Sequence, residues 1–440
     1  MAAVLTAIAR RRADDDEDDA LRPEAAPAGE RIAARRRRVL ILVENLPSPF
    51  DRRVWQEATT LRGAGYEVSI VCPTGRGCER RYELIDGIHI HRYPLPLEAS
   101  GAAGYAIEYG AALLRAGWLA LRLFATRGFD VVHACNPPDL FFLIGGFFKL
   151  FGRKFVFDHH DLCPELYEAK FGRRDFFWRL LLAFERLSFR TADVSIATNE
   201  SYRQIAIDRG GMPRERVFVV RSGPSLERMR ILPPQPALKL GRRFLVGYVG
   251  VMGRQEGVEY LLQAAQRIVK TCGRNDVHFG LVGGGTSLEE MKALARTLGV
   301  ADYVTFTGRV PDDELLAMLN TADVCVNPDV ANEMNDKSTM NKIMEYMALG
   351  KPIVQFDLTE GRWSARGASL YARPNDAADL ADKILQLLDD AELRSRMGAV
   401  GRARVVGELA WDYEAPKLLA AYAALWPEAR RHPLASSEAP

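Results

Sequence analysis

Short apolar runs alternate with longer amphipathic stretches along most of the chain, and this alternation constrains the fold more than any other feature. In the first half, runs rich in valine and isoleucine predict strands at Val39–Val43, Glu67–Cys72, Val131–Ala134, Lys154–Asp158, Val194–Thr198 and Arg216–Arg221. Helical patterns separate most of them, as where Val54, Ala58 and Leu61 recur on one face. Continuous apolar strands between helices predict an α/β fold with a parallel, doubly wound sheet.

The same alternation restarts after a proline-containing segment, so two such domains are predicted. The second set of strands is Phe244–Val249, Val277–Val282, Val304–Thr307, Asp323–Val326 and Pro352–Phe356. The predicted parts are a first Rossmann-like domain at 38–222, a linker at 223–241, a second Rossmann-like domain at 242–408 and a C-terminal helix at 409–428 that packs back across the domains. Ligands of open parallel sheets bind beyond the carboxyl ends of the strands, so the two domains are expected to face a shared cleft.

Both ends of the chain are predicted to lie outside the folded domains. Residues 1–37 contain the acidic run Asp14–Asp19, and the basic run Arg35–Arg38 ends at their boundary. Blocks of like charge repel one another and form no core. Residues 429–440 are predicted to be a second tail. The acidic run is similar to a metal-binding DxD motif, but without a folded context we predict no metal site there.

Composition excludes several classes of protein. The net charge of +2 gives no electrostatic basis for binding nucleic acid. The cysteines show no CxxC spacing, which argues against a zinc site or disulfide scaffold and favours a reducing compartment. No apolar run reaches the ~18 residues of a membrane span, and the start of the chain lacks the order of a signal peptide. We therefore predict a cytoplasmic protein whose membrane contact, if any, is peripheral.

The segment Ser338–Val354, STMNKIMEYMALGKPIV, carries the most informative site pattern. Ser338 or Thr339 is expected to cap a helix on which Lys342 and Glu345 share a face. Free amide groups and a lysine at a helix start suit a diphosphate, and a carboxylate one turn later suits ribose hydroxyls. The predicted donor-binding residues here are Thr339, Met340, Asn341, Lys342 and Glu345. A surface ion pair on an ordinary helix is the alternative.

Two glycine turns are predicted to approach the same ligand. The stretch GYVGVMGRQEG places Gly250 and Gly253 beside Arg254, and these glycines would permit close approach of a phosphate. The stretch LVGGGTSLEEM adds Gly284. The second stretch departs from the GxGxxG pattern because Leu288 occupies the third glycine position, so a plain tight turn is an equal alternative there.

Together these segments and three others resemble the family 4 glycosyltransferases of GT-B architecture, over about Arg38–Trp426. The other segments are VTFTGRVPDDELLAMLNTADVCVNP, DVVHACNPPD and FVFDHHDLCPEL. The resemblance implies a retaining transferase that takes a nucleotide-diphosphate sugar of the UDP or GDP type, with no metal or other cofactor. It also implies that the second domain binds this donor and the first domain binds the acceptor.

The chain departs from the family pattern in its second domain. Glu345 matches the second glutamate of the family's paired-glutamate motif, but Lys337 stands at the first. The family's diphosphate-binding arginine and lysine would fall on Val251 and Glu256. We expect Arg254 and Lys342 to replace them, as in a subset of the family with an NK…EYMA.GKP donor helix.

The first domain is predicted to supply the acceptor side of the site. The residues are Asp51, Arg53, Asn136, Asp139, His160 and Asp161. The family's catalytic histidine position is Cys135 here, so His160 is expected to take that role. Asp139 could instead cap a helix, and His159 could be structural.

The stretch SPFDRRVW poses its own question, because arginines in a helix's first turn face an already positive dipole. Asp51 is expected to cap this helix. Arg53, rather than Arg52, is expected to bind a phosphate of acceptor or donor, with pairing to Asp51 or Glu57 as the alternative.

The leading function is sugar transfer to a lipid-linked or growing glycan of cell-surface polysaccharide, with His160, Arg254, Lys342 and Glu345 as catalytic residues. Alternatives are a nucleotide-sugar 2-epimerase of the same fold and a non-catalytic nucleotide-sugar binder. The basic amphipathic stretch Tyr105–Arg127 could lie on a membrane at the inner face of the plasma membrane, or simply cover the sheet.

Overall fold

The computed structural model describes residues 36–95 and 101–426, with backbone alone at 101–103, 105 and 106. The predicted tails and the acidic run Asp14–Asp19 fall outside the described residues, apart from the last residues of the first tail. Among the described helices, none combines the length and apolar character needed to cross a bilayer.

The first domain contains an eight-stranded sheet in the order β3-β4-β2-β1-β5-β6-β7-β8, parallel except for the β3–β4 pair. Its strands are β1 Arg38–Leu42, β2 Glu67–Pro73, β3 Tyr82–Ile85, β4 Ile88–Tyr93, β5 Val131–Cys135, β6 Lys154–His159, β7 Val194–Ala197 and β8 Val217–Val219. Its helices are α1 Arg52–Gly63, α2 Gly101–Thr126, α3 Phe142–Lys149, α4 Cys163–Phe171, α5 Phe176–Thr191 and α6 Glu200–Asp208. The six predicted strands are all present, with ends shifted by one or two residues.

Strands β3 and β4 form a hairpin that the sequence prediction missed. Its two-residue turn is Asp86–Gly87, and both residues have positive φ, 49° and 72°. An Asp-Gly pair between alternating apolar positions is a strong hairpin signal, because both turn residues must adopt left-handed backbone. This signal was present in the sequence.

The second domain contains a six-stranded parallel sheet in the order β11-β10-β9-β12-β13-β14. Its strands are β9 Phe244–Val249, β10 Val277–Val282, β11 Val304–Gly308, β12 Val324–Asn327, β13 Ile353–Phe356 and β14 Ser369–Ala372, of which only β14 was not predicted. Its helices are α7 Val258–Gln266, α8 Leu288–Thr297, α9 Asp312–Thr321, α10 Glu333–Lys337, α11 Asn341–Ala348, α12 Thr359–Ala365, α13 Ala377–Asp389 and α14 Ala391–Arg404.

The last helix, α15 at Trp411–Ala423, returns to the first domain. Its Leu418 and Tyr422 are fully buried in the core cluster that contains β1 and α1. The Tyr422 hydroxyl lies 2.8 Å from Nδ1 of His133, a buried residue of β5. Helix α15 therefore completes the first domain, although it follows the second domain in sequence.

Candidate functional site

Lys342 lies in the first turn of helix α11, where it joins three segments of the second domain. Its Nζ donates to Asp329 Oδ1 at 2.8 Å and to Glu256 Oε2 at 2.9 Å. The ammonium group also lies 5.1 Å from the centroid of the Tyr248 ring. The side chain is only 10% exposed, so these partners hold it in one position.

Lys342 is the single cation between two carboxylates. Burial opposes its charge, but Asp329 and Glu256 outweigh burial and raise the pKa of the lysine. Burial raises the pKa of Asp329 to about 7, although Lys342 acts in the opposite direction. The family resemblance places a lysine where Glu256 stands. In this chain the helix supplies the cation and the turn supplies the carboxylate.

The two glycine turns pack against each other, backbone to backbone. Met252 N donates to the Gly284 carbonyl at 2.9 Å. A Cβ at Gly283, where φ is +133°, would lie 1.9 Å from the Gly250 carbonyl oxygen. The turn thus needs glycine at 283 and 285 for packing, whereas a Cβ at Gly284 would have no atom within 4 Å, so the donor contact expected of Gly284 stays a prediction. A Cβ at Gly250 would lie 3.4 Å from Lys342 Cε, so that glycine does border the lysine.

Arg254 opens the short 3-10 turn Arg254–Glu256 beyond these glycines. Its side chain is exposed. Within the described part of the chain it makes no ion pair, and Gly253 precedes it directly. A cation at this place can reach an incoming phosphate without first leaving a protein partner.

The predicted cap of helix α11 is wrong. The N-cap residue is Met340, and no side chain caps the helix. Thr339 Oγ1 instead accepts from Asn199 Nδ2 at 3.0 Å, and Ser338 Oγ lies 3.0 Å from the Tyr202 hydroxyl. Both partners belong to the first domain. These hydroxyls therefore connect the two domains and do not cap the helix.

The two remaining predicted residues differ in exposure. Met340 is half-buried against the core cluster of α9 and α11, whereas Asn341 is exposed at the helix start.

Glu345, one turn beyond Lys342, faces the first domain and the linker. Arg52 Nη1 donates to Glu345 Oε1 at 3.1 Å, and Arg228 Nη1 donates to the same oxygen at 2.9 Å. Both arginines also bond Asp312 at the start of α9, at 2.8 Å and 2.6 Å. Two guanidinium groups and two carboxylates therefore meet where the domains approach each other.

Arg53, the neighbour of Arg52, lies inside the first domain, 7% exposed. It donates to the Val220 carbonyl at 2.9 Å and to Asp158 Oδ1 at 3.0 Å, and pairs with Glu57 at 3.1 Å. The prediction that Arg53 binds a phosphate is therefore wrong, because its guanidinium is already paired with carboxylates of its own domain. The alternative partner Glu57 is the one observed. Asp51 caps α1 as predicted, accepting from Val54 N at 3.1 Å.

His160 stands at the end of β6 on the rim of the cleft, partly exposed. Its Nε2 lies 2.5 Å from Asp158 Oδ2 and 3.0 Å from Arg53 Nε. Its backbone N–H donates to Asn136 Oδ1 at 2.6 Å, and that of Asp161 donates to the same oxygen at 3.2 Å. Asn136 is buried and shapes this loop. Its burial argues against the direct acceptor contact that the sequence predicts.

Asp139 is also buried and does not reach the cleft. Its Oδ1 accepts from Asn136 Nδ2 at 2.8 Å, while Oδ2 has no hydrogen-bond partner among the residues that the structure describes. Burial raises the pKa of this carboxyl to about 7. Capping by Asp139 was the alternative, and it is wrong too, because helix α3 has Phe141 at its N-cap and no side-chain cap.

His159 is fully buried, with its ring against Phe157, Phe189 and Tyr202. Its Nε2 lies 3.4 Å from Glu185. The structural alternative for this histidine is the one that the geometry favours.

A compact cluster of possible metal ligands surrounds Arg53: Glu57, His133, Cys135 and Asp158 offer atoms within 4.8 Å of one another. Burial and the neighbouring Asp158 raise the pKa of Glu57 well above normal. Burial and Asp158 also raise the pKa of the Cys135 thiol, so this residue is a poor substitute for a catalytic histidine. The guanidinium of Arg53 already provides the positive charge that these carboxylates require.

Comparison with known proteins identifies both domains. Residues 51–223 match the family described as "Glycosyl transferase 4-like domain", and residues 243–390 match "Glycosyl transferases group 1". A solved sucrose-phosphate synthase from Thermosynechococcus elongatus superposes with a TM-score of 0.73 at 19% identity, covering 89% of this chain and 100% of that one. Each domain thus matches a glycosyltransferase family, and the chain has the two-domain GT-B fold.

Curated relatives of this glycosyltransferase family align over shorter stretches. A 2-deoxystreptamine glucosyltransferase from Streptomyces kanamyceticus is 28% identical over 55% of this chain and 63% of its own length. A GDP-mannose-dependent alpha-(1-6)-phosphatidylinositol monomannoside mannosyltransferase from Mycobacterium tuberculosis is 35% identical over 41% of this chain and 47% of its own length. The chain thus spans roughly half to two thirds of these relatives.

Sequence reasoning missed several residues of the cleft. Asp329 closely follows the end of β12, a usual place for ligand-binding side chains, and this signal could have found it. Asp312 stands at the start of a clear helical pattern, and this position could have indicated it. Arg52 was considered, but Arg53 was preferred as the phosphate-binding arginine. Arg228 lies in the linker, where no periodic pattern marks it.

Proposed function

We propose that the protein is a retaining glycosyltransferase that moves a sugar from a nucleotide-diphosphate sugar to a hydroxyl acceptor. One observation carries this proposal: Lys342 and Glu345, one turn apart on α11, lie at the cleft, and Arg52 reaches Glu345 from the opposite domain. A cation at a helix start suits a diphosphate, and the carboxylate beyond it suits ribose hydroxyls. The family of the chain supports the same chemistry.

In the proposed reaction, the bond between the anomeric carbon and the diphosphate oxygen breaks, and the oxygen takes the electron pair. Lys342, Arg254 and the amide groups at the start of α11 stabilise the negative charge, which is usually a large catalytic effect. The acceptor hydroxyl attacks from the same face, and its proton passes to the departing phosphate. His160 orients the sugar, held by Asp158. Approach of the domains excludes water and suppresses hydrolysis.

We propose a UDP or GDP donor and a lipid-linked or growing glycan as acceptor, used at the cytoplasmic side of the plasma membrane. The GDP-mannose donor and phosphatidylinositol-based acceptor named for the mycobacterial relative support this choice. As the family resemblance implies, we propose that the transfer needs no metal or other cofactor, with Arg254 and Lys342 supplying the positive charge.

The test is to incubate the full chain with a panel of UDP- and GDP-sugars, with and without a lipid-linked sugar acceptor. We expect one nucleoside diphosphate to raise Tm most and its sugar to appear on the acceptor by mass spectrometry. Glu345→Ala should remove both signals. The proposal fails if no nucleotide shifts Tm, or if Glu345→Ala retains full turnover.

A non-catalytic nucleotide-sugar binder is the second candidate. The observation that favours it is the pairing of Lys342 with both Glu256 and Asp329, which uses two of its three N–H donors. A thermal shift with no product would identify a binder. A change in the sugar without any acceptor would identify the 2-epimerase instead.

A further inference from the structure

Three helices of the first domain expose large apolar side chains on their outer faces. The exposed residues are Ile107, Leu114, Trp118 and Leu121 on α2, Leu143, Phe147, Leu150 and Phe151 on or just after α3, and Phe176, Phe177 and Leu187 on α5. Trp118 is 60% exposed and Leu150 is 82% exposed. Along α2 the residues recur at helical spacing, so they form one stripe. Soluble proteins rarely expose such clusters without an interaction to cover them.

The three helices lie side by side and share one core. Leu123 of α2, Ile144 and Phe148 of α3 and Phe189 of α5 belong to the same buried cluster. Phe124 of α2 contacts Phe148 and Phe151, with ring centroids 5.1 Å and 5.6 Å apart. The opposite faces of these helices therefore point outward on the same side of the sheet. We call this outward surface the three-helix face.

The exposed charged side chains on the helices of the three-helix face are all basic. The helices contain six basic residues, Arg115, Arg122, Lys149, Arg179, Arg186 and Arg190, and two acidic ones, Glu108 and Glu185. Glu185 is buried and Glu108 is half-buried, so neither is exposed. Arg179, Arg186 and Arg190 are exposed and have no ion pair within the described residues. On α5 they flank Phe176 and Leu187.

From these observations we infer that the first domain docks on an anionic lipid surface through the three-helix face. Apolar side chains would enter the boundary of the acyl chains, while the arginines meet lipid phosphates. A second copy of this chain fits less well, because two basic faces would repel each other. The surface is wider than the single basic helix that the sequence indicates, since α3 contributes the most exposed residue.

This inference deepens the proposed function, and rests on it only for the link to a lipid-borne acceptor. Helix α3 starts just after the loop that holds Asn136 and Asp139. Ser188 of α5 donates to the Asp139 carbonyl at 2.9 Å. The docking helices thus adjoin the loop whose Asn136 accepts from the backbone N–H of His160, and in this proposal a lipid-borne acceptor would approach the cleft from that side.

Vesicle flotation of the full chain tests the inference. We expect binding to vesicles that contain phosphatidylglycerol, weak binding to phosphatidylcholine alone, and loss of binding near 1 M salt, where charges are screened beyond ~3 Å. Trp118→Ser/Leu150→Ser should raise the lipid concentration for half-maximal binding about tenfold or more, because two buried apolar side chains are lost. Ile231→Ser, an equally exposed apolar residue of the linker, should bind as the unaltered chain does.

Three results would overturn the inference. They are no binding of the unaltered chain to phosphatidylglycerol vesicles, unchanged binding of Trp118→Ser/Leu150→Ser, and, by light scattering, a dimer in solution that this double variant dissociates. Thermal shift by the donor nucleotide without vesicles is measured in parallel. It should be the same in every variant, so failure of docking and failure of the proposed donor site are distinguished.

Discussion

Arg52 and Arg53 are adjacent in the first turn of helix α1, yet they belong to different parts of the molecule. Arg52 is 44% exposed and reaches Asp312 and Glu345 of the second domain. Arg53 is buried among Asp158 and Glu57 of its own domain. Successive residues on a helix point about 100° apart, so one faces the cleft and the other the core. The comparison teaches that residue type and sequence position do not distinguish a ligand-facing charge from a structural one.

The buried member of the pair should show the largest effect. Arg53→Met leaves the carboxylates around it without a cation, and breaking a buried pair in this way costs about 3–5 kcal/mol. Urea denaturation measures this loss of unfolding free energy. A change below about 1 kcal/mol would mean that Arg53 is not the centre of this network.

The buried carboxyl of Asp139 should make the stability of the first domain depend on pH. Its folded pKa of about 7 exceeds its ordinary value, so its contribution to stability is present at low pH and is lost as pH rises through 7. Asp139→Asn lacks this loss and should gain roughly 2–3 kcal/mol relative to the unaltered chain between about pH 5 and about pH 8. Denaturation at the two pH values measures it. Parallel pH profiles for the two proteins would contradict a buried, ionisable Asp139.

Arg52→Ala should show the opposite behaviour to Arg53→Met, with a loss of activity and little loss of stability. Because the side chain is substantially exposed, its ion pairs contribute at most about 1 kcal/mol to stability. We expect kcat/KM for the donor to fall about tenfold, the change that 1.4 kcal/mol of lost transition-state binding produces. Steady-state kinetics and denaturation are measured together. A variant that unfolds as Arg53→Met does, with normal kinetics when folded, would reverse the assignment of the two arginines.

The smallest effect is expected at Glu256. Glu256→Gln removes a negative charge beside Lys342, which should tighten binding of the nucleoside diphosphate about threefold, the gain of ~0.7 kcal/mol. Isothermal titration calorimetry measures Kd. The matched control Glu290→Gln removes the same charge from an exposed position on α8. Equal effects of both variants would indicate a general change of charge rather than a local one.

Much of the fold was predictable because strand and helix periodicity are local properties. The boundaries of β9 and β10 agree with the prediction, since each is a continuous apolar run. The β3–β4 hairpin was missed although Asp86–Gly87 marked it. Strand β14 is only four residues long and is half-exposed in its middle, so its pattern is weak.

The site was less predictable because its partners are distant in sequence. Nothing local indicates that Lys342 pairs with Glu256, 86 residues earlier. The hydroxyls of Ser338 and Thr339 looked like caps, but the first domain supplies their partners. The pair of Arg53 and Glu57 did have a local signal, because their spacing places them beside the buried stripe of Val54 and Ala58.

The return of helix α15 to the first domain has a consequence for engineering. A chimera that exchanges the donor half between relatives must keep residues 411–426 with the acceptor half, although they follow the donor half in sequence. Cutting at the linker alone would separate Tyr422 from His133 and remove the cover over β1. During synthesis on the ribosome, likewise, the interior of the first domain is complete only after helix α15 has been made.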